Sequence, residues 1–346
     1  NKKNYNFFIN ILNNELSKSI LEIKKSNIFF KNEEKEVLFI NKVLSMKYFY
    51  DDNEFKNILR SDNEIFNVPY SIQIKNDNEK KTLNTSLSID PFRLRVQNKH
   101  NYNNEIKSGI LQFYYNNLKS IANYKGNKNF FEFNYSDKSD NPNFEYEGKI
   151  NLKPFFSSLK GNIDKMNLSY LIGQNTLFVE LLKTEILNNK NIEFKSTFKG
   201  NTIQNNQNFK NIIFNSNIKD GLIDFDNSKI EWIENVDFEI KDSLVFVKNG
   251  ELTLDGKLHI NIKDINRIYK FLLTPKIYRK KIKKIDLNFT YNFDQKSADL
   301  KDIKIDNKFN NSINKILNNL VLKTDNLQNK IYLKNLINEA IKSYEG

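Results

Sequence analysis

Hydrophobic and polar residues alternate with a period of two along most of the chain, as expected for β-strands with one dry and one solvated face. The alternation is regular around Asn249-Gly250, a dipeptide typical of a two-residue type I′ hairpin turn. In that register the facing pairs are Lys248 with Glu251, Val247 with Leu252, Phe246 with Thr253 and Val245 with Leu254. One face of the predicted hairpin is therefore apolar, and the other carries a cross-strand charge pair.

A second turn-like dipeptide, Asp255-Gly256, follows six residues later and behaves differently. A two-residue turn here would mix polar and apolar residues on one face. The residues that share the apolar parity on both sides of it are Leu252, Leu254, Leu258, Ile260 and Ile262. Only an unbroken strand, or an odd-length turn with Gly256 in a left-handed bulge, preserves that parity. His259 lies on the polar parity, which predicts a solvated strand residue.

Alternating segments recur at intervals of roughly 8–15 residues, a spacing typical of an antiparallel meander. Helical spacing occurs in fewer places: residues 177–186, residues 263–275 ending near Pro275, and the tail from Leu333 to Tyr344. Residues 5–23 fit either a short helix or a bulged strand. The pattern predicts a mainly β protein with three or four short amphipathic helices. The residue pattern changes near Lys153-Pro154. This change suggests an amino-terminal β-meander part at 1–153 and a β-rich region with a terminal helix at 154–346, with one continuous domain as the alternative.

The formal net charge of +12 changes this picture little, because Asn and Lys dominate the composition as AT-rich codons would dictate. Lys residues are spread along the chain and separate from the aliphatic residues by strand parity, so a nucleic-acid-binding surface is not predicted. One dense basic run, Pro275–Lys284, stands out. It is interpreted either as a solvated turn and strand edge or as a surface that attracts anionic lipid headgroups. The candidate headgroup-contacting residues are Lys276, Arg279, Lys280 and Lys281.

Residues suited to catalysis or to metal binding are scarce. The chain has no Cys, and its two histidines, His100 and His259, are far apart in polar surroundings. Asp224 and Asp226 mimic the start of a calcium loop, but Lys229 occupies the position that needs Gly. We predict a non-enzymatic protein with no catalytic residue, no metal and no cofactor. No apolar run reaches 18 residues, so no transmembrane helix is predicted, and the chain starting at Asn1 is interpreted as processed or part of a longer protein.

The region from Pro154 to Gly346 carries a resemblance to a known family. It resembles the carboxy-terminal region of AsmA-like proteins from AT-rich alphaproteobacteria. The resemblance rests on the succession of strands, the L-x-L-D-G-x-L pattern at Leu252–Leu258 and the helical tail. The first 150 residues match only in style. The family, with its TamB- and YhdP-like members, comprises inner-membrane-anchored periplasmic proteins whose long β-sheet grooves are implicated in moving phospholipid towards the outer membrane.

The resemblance implies an elongated, curved antiparallel β-sheet that forms an open groove, and a bridge-like role in phospholipid transfer or outer-membrane assembly. Phospholipid or another membrane lipid would be the partner, and membrane anchorage would come from a segment missing from this chain. The residues expected to face lipid are Val245, Val247, Leu252, Leu254, Leu258 and Ile260. The alternative is that they pack in a closed core or under a helix. The rival function is an envelope or cell-surface binding scaffold without lipid cargo.

Overall fold

In a computed structural model of the protein, strands hold 66% of the residues and helices 13%, which confirms the mainly β class. The structure describes residues 20–31, 35–101, 106–115, 118–137, 144–152, 155–166, 177–185, 187–190, 192–203, 206–318, 321–323 and 330–344. In these residues 21 strands belong to one mixed sheet. The chain divides into two compact units, unit 1 with residues 1–136 and 147–154, and unit 2 with residues 137–146 and 155–346.

Unit 1 is built from a meander in which each strand pairs antiparallel with the next, from the first strand to the ninth. A short 3-10 turn, Asp90–Phe92, joins the fifth strand to the sixth. The strands are β1 Leu21–Lys31, β2 Val37–Asp51, β3 Lys56–Ile65, β4 Val68–Asp77, β5 Thr82–Ile89, β6 Leu94–Asn101, β7 Lys107–Tyr115, β8 Leu118–Gly126, β9 Phe130–Asp137 and β10 Phe144–Leu152.

Unit 2 adds eleven strands and four helices in its described residues. The strands are β11 Phe155–Met166, β12 Phe194–Ile203, β13 Asn206–Lys219, β14 Leu222–Asp224, β15 Lys229–Trp232, β16 Val236–Lys248, β17 Glu251–Ile262, β18 Lys284–Asn292, β19 Ser297–Ile305, β20 Lys308–Phe309 and β21 Val321–Lys323. The helices are α1 Leu177–Lys183, α2 Ile265–Leu272, α3 Asn311–Asn318 and α4 Lys330–Ser343. Strands β11 and β12 pair in parallel, and α1 lies in the crossover that such a pair requires.

The hairpin predicted at Asn249-Gly250 is confirmed. Lys248 pairs with Glu251, and both turn residues have the positive φ of a type I′ turn, 53° for Asn249 and 80° for Gly250. Glycine and asparagine adopt this conformation at little steric cost. The hydrophobic alternation and the turn chemistry therefore specify the same register.

At Asp255-Gly256 the chain continues through β17 without a turn, which selects the unbroken strand. The irregularity lies in the partner strand β16, where the register shifts between Lys241 and Leu244 and Asp242 takes a φ of 48°. Gly256 instead allows close packing against the neighbouring strand. A Cβ at this position would lie 3.1 Å from the ring of Phe289 on β18, closer than packed atoms normally approach.

The three helical predictions that fall on described residues are confirmed by α1, α2 and α4, while residues 5–19 lie outside the described part. Asp264 is the N-cap of helix α2, and its carboxylate accepts a hydrogen bond from the backbone N–H of Asn266. The C-cap is Leu273, which takes the left-handed conformation two residues before Pro275. No helix in the described residues is long and apolar enough to cross a bilayer.

The helices of unit 2 cover the apolar face of its strands. Val179 and Leu182 of α1 pack over Ile218 and Leu252 in the first core cluster. Ile313 of α3 contacts the cluster formed by residues of β18 and β19. Helices α2 and α4 close a third cluster over Val236. In each case the amphipathic helix supplies the second apolar layer that a one-sided sheet needs for burial.

Candidate functional site

The six residues predicted to face lipid lie on β16 and β17, and the structure gives them another role. Val245, Leu252 and Leu254 are only 4%, 1% and 6% exposed. Val179 and Leu182 of α1 belong to the same packed cluster, and Val247 lies against it. Since protein side chains already fill this surface, we correct the prediction for these four residues: they form core beneath a helix.

The other two predicted residues, Leu258 and Ile260, are half-buried. Leu258 packs against the cluster that contains Leu287, and Ile260 packs against both this cluster and the one closed by α2 and α4. They also belong to the interior of unit 2. The alternation correctly identified a dry face but could not show that helices from distant parts of the chain cover it.

Unit 1 has a dry face of its own, formed by two rows of side chains that run across β1 to β8. Facing residues in each row pair directly, so they lie on one side of the sheet. The first row is Leu21, Tyr48, Leu59, Ile74, Thr85, Asn98, Leu111 and Ala122, and the second is Ile23, Met46, Ser61, Ile72, Leu87, Val96, Phe113 and Ser120. We call these two rows the unit 1 apolar strip.

The unit 1 apolar strip differs from the face in unit 2 because no described helix of its own unit lies on it. The only helical segment in the described part of unit 1 is the three-residue turn Asp90–Phe92. Around Val43, Met46 and Tyr48 the strip is packed as a small core. Further along, the apolar residues of the strip on β5, β6 and β7 are half-buried. The strip is therefore better shielded than a solvated face and less covered than the core of unit 2.

The opposite face of β4 to β7 is mainly polar, although the exposed Ile110 of β7 also lies on it. Gln73, Ser86, Gln97 and Gln112 pair across four strands in a row of amides and a hydroxyl. Arg95, Gln97 and Lys99 are exposed on β6, whereas Val96 and Asn98 between them are half-buried. The parity that separates Lys from aliphatic residues in the sequence is thus kept on β6. A cavity of about 670 Å³ on β4 to β7 is lined mainly by residues of this polar face.

A third row beside the strip carries buried polar side chains on the same face as the apolar residues. It runs through Asn57, Asn76, Leu83, His100, Gly109 and Tyr124 on β3 to β8. Asn57 is 2% exposed, and neither its Oδ1 nor its Nδ2 has a hydrogen-bond partner in the described structure. Leaving an amide buried and unpaired costs about 1–3 kcal/mol, so such a group is a candidate for contact with a ligand.

His100 and Tyr124 occupy the far end of this third row. Burial lowers the pKa of His100, and the positive charge of Lys107 acts in the same direction, so the imidazole is neutral at physiological pH. Asn98 contacts its Nδ1 at 3.1 Å. Tyr124 packs edge-on to the His100 ring, and it crosses over Gly109, where a Cβ would lie 2.8 Å from the tyrosine hydroxyl. The row is therefore a set of neutral polar groups beside an apolar strip.

The buried polar cluster at the other end of the strip is satisfied internally. Tyr70 donates to Asn41 at 3.0 Å, and the Ser61 hydroxyl donates to Asn63 at 3.0 Å. These groups need no ligand, which makes Asn57 the more informative buried amide. Sequence alternation alone did not identify it, because Asn57 occupies an apolar parity in a chain rich in asparagine.

The predicted headgroup-contacting residues follow α2 in unit 2. Lys276, Lys280 and Lys281 are exposed, as expected for a surface that attracts anions. Arg279 differs from them. Its Nε donates to the carbonyl of Thr274 at 3.0 Å, and its guanidinium lies 5.9 Å from the Tyr269 ring centroid, so this side chain holds the loop together.

The remaining candidates for chemistry have structural roles. His259 is paired with Asp286 on the polar face of β17 and β18 rather than simply solvated. Although burial acts to raise it, hydrogen bonds from Lys284 and His259 hold the pKa of Asp286 below its ordinary value. Asp226 accepts hydrogen bonds from the backbone and hydroxyl of Ser243, as a turn residue does. Within the described residues there is no cluster of His, Asp and Glu suited to a metal.

Comparison with known proteins gave no match to a family model, to a curated protein or to a solved structure.

Proposed function

We propose that this chain is a non-enzymatic, AsmA-like periplasmic protein that carries phospholipid between the inner and the outer membrane. The observation that supports this function is the unit 1 apolar strip, on which no described helix of its own unit lies. In the proposal, anchorage at the inner membrane comes from a segment outside this sequence. The sequence resemblance to AsmA-like proteins is strongest after Pro154. The proposed lipid-binding strip lies before this residue, in the part of the chain that resembles the family only in its general pattern.

The dimensions of the strip suit an extended acyl chain. Strands in a sheet lie about 4.8 Å apart, so the seven intervals from β1 to β8 span roughly 34 Å. One leaflet of the hydrocarbon core of a bilayer is about 15 Å thick, so a fully extended chain is shorter than the strip. Acyl chains would lie along the aliphatic residues of β4 to β7, such as Ile72, Leu87 and Val96. The polar part of the lipid would lie towards the third row.

The experiment that tests this function is native mass spectrometry with lipid extraction on the chain exported to a bacterial periplasm. The test variant is Leu87→Thr, Val96→Thr and Leu111→Thr, which makes the strip polar but keeps residues that strands accept. The matched control is Ser86→Thr, Ser88→Thr and Gln97→Thr on the opposite face of β5 and β6. Wild type and control should carry phospholipid, and the test variant should lose it while remaining folded.

A folded wild-type protein that carries no lipid and takes up none from vesicles would contradict the proposal. It would favour the second candidate, an envelope binding scaffold without lipid cargo. The observation behind that candidate is the cavity of about 670 Å³ on the polar face, lined by amide and hydroxyl groups including Gln73, Asn84, Ser86 and Gln112. These groups can exchange hydrogen bonds with a polar ligand, which a hydrocarbon chain cannot do.

A further inference from the structure

The segment from Ile265 to Lys284 in unit 2 concentrates positive charge. It contains eight Lys and Arg residues and no Asp or Glu. Two of the eight are engaged with carboxylates, since Lys284 contacts Asp286 at 2.8 Å and Arg267 lies 3.9 Å from Asp264. Lys270, Lys276 and Lys281 are exposed and form no ion pair with any described residue. Their charge is thus directed to the solvent.

Large apolar side chains project from the same segment. Ile277 and Leu273 are 79% and 76% exposed, the highest values for large apolar residues in the described structure, and Phe271 is 45% exposed. Leu273 also holds a φ of 58°, a conformation in which glycine or asparagine is the usual residue. A leucine at this position is costly for the isolated fold, because it is strained and its side chain gains no burial.

The protein holds this segment in a defined conformation. Tyr269 donates its hydroxyl hydrogen to the Lys280 carbonyl at 2.6 Å and accepts from the Lys280 backbone N–H at 3.0 Å. Asn338 of α4 donates to the Leu272 carbonyl at 3.0 Å and accepts from the buried Thr274 hydroxyl at 2.7 Å. The exposed leucine and isoleucine are therefore presented by a braced loop, and little conformational entropy is lost when they are buried by a partner.

We propose that this basic loop, residues 270–283, docks unit 2 onto the surface of an anionic phospholipid bilayer. Apolar side chains that enter the interface, flanked by lysines that reach the headgroups, are the combination that binds a membrane surface without spanning it. A nucleic acid would match the charge but not the exposed aliphatic groups. Arg279, the residue best suited to a phosphate fork, is turned inward against Tyr269 and Thr274.

Docking does not depend on the lipid-carrying function proposed for unit 1. A protein without lipid cargo could still bind a membrane here, and a lipid carrier could fail to do so. Cargo is measured by extraction from the soluble protein, and docking is measured by partition onto vesicles, so the failure of one is distinguishable from the failure of the other.

The test is flotation of the full chain with phosphatidylcholine vesicles that contain or lack phosphatidylglycerol. The charge variant is Lys276→Ser, Lys280→Ser and Lys281→Ser. Its matched control removes the same charge elsewhere on unit 2, through Lys195→Ser, Lys219→Ser and Lys248→Ser. The apolar variant is Leu273→Asn with Ile277→Ser, in which asparagine suits the left-handed backbone.

Trp232 supplies a local readout, because it is the only tryptophan of the chain and its ring lies 5.2 Å from that of Phe271. Wild-type protein should bind only the vesicles with phosphatidylglycerol, and brominated acyl chains should quench Trp232. A lysine near an anionic surface contributes about fivefold to partitioning, so the charge variant should bind about a hundredfold more weakly. The apolar variant should lose quenching by the acyl chains and the binding that persists at high salt.

Three results would overturn the inference: no binding by the wild-type chain, equal loss in the charge variant and its matched control, or an apolar variant that binds like wild type. The last result would indicate a general polyanion-binding surface. Circular dichroism and thermal unfolding of each variant separate a folding defect from a docking defect. Leu273→Asn is expected to stabilise the fold, because asparagine suits the left-handed backbone at this position.

Discussion

Leucine truncation in the two units compares a dry face that a helix covers with one on which no described helix of its own unit lies. Leu252→Ala acts in unit 2, where the side chain is 1% exposed among Val179 of α1, Ile223 and Phe293. Leu87→Ala acts in unit 1, where the side chain is half-buried on the apolar strip. The chemical change is identical at both positions, so a difference in the loss of stability reports how completely each leucine is buried.

The expected magnitudes follow from the burial of each leucine. Truncation removes three carbon atoms, worth about 0.8 kcal/mol each when fully buried, or roughly 2.4 kcal/mol. An enclosed cavity adds to this, so Leu252→Ala should cost about 3–5 kcal/mol. At Leu87 the transfer term is reduced by partial exposure and the space left behind opens to solvent. We expect a cost of about 1–2 kcal/mol there.

The assay is urea unfolding followed by two signals. Trp232 fluorescence reports on unit 2, and far-UV circular dichroism includes the strands of unit 1. Phospholipid should stabilise the wild type by mass action, because a ligand that binds only the folded state raises its stability. Leu87→Ala should weaken that gain and Leu252→Ala should preserve it. Equal losses of stability for the two substitutions, or a lipid effect lost only in Leu252→Ala, would refute the assignment of a closed core to unit 2 and a half-buried strip to unit 1.

Three further predictions concern polar groups that are buried or half-buried. Burial acts to raise the pKa of Asp294, but hydrogen bonds from Lys183 and the Leu252 backbone hold it below its ordinary 3.8. Asp294→Asn should therefore lower the free energy of unfolding by about 1–2 kcal/mol near neutral pH. In urea titrations this difference from the wild type should disappear as the pH falls through the lowered folded-state pKa. The pKa of His100 is lowered below 6.5, chiefly by burial, so the unfolded chain binds the proton more readily. The free energy of unfolding should therefore fall as the pH drops from 6.5 towards the folded-state pKa. A His100→Gln variant whose stability does not change with pH in this range would confirm that His100 is the cause. Asn57→Leu should leave stability in urea unchanged or raised, because an unpaired buried amide is removed, but should weaken retention of phospholipid; a large loss of stability would show that the amide is satisfied.

The hydrophobic alternation and the turn residues predicted much of the fold, because strand faces and hairpin turns are determined by neighbouring residues. The period-two alternation specifies which side of each strand is dry, and Asn249-Gly250 specifies the register of β16 against β17. The turn between β3 and β4 was not predicted. There Phe66 and Asn67 both take positive φ, at 50° and 62°, and the phenylalanine gives no turn signal. The parallel pairing of β11 with β12 was not predicted either, because it joins segments separated by a long crossover.

The candidate site shows most clearly what the sequence alone did not predict. Leu254 on β17 and Leu87 on β5 have the same sequence signature, a leucine on the apolar parity of an alternating strand. The sequence determined that both lie on a dry face and that a lysine-rich loop follows α2. Only the tertiary structure decided that Leu254 is covered and Leu87 is half-buried with no described helix of unit 1 over it. Cover comes from α1, a helix about seventy residues away in the chain, and alternation within one strand carries no information about which distant segment packs against it.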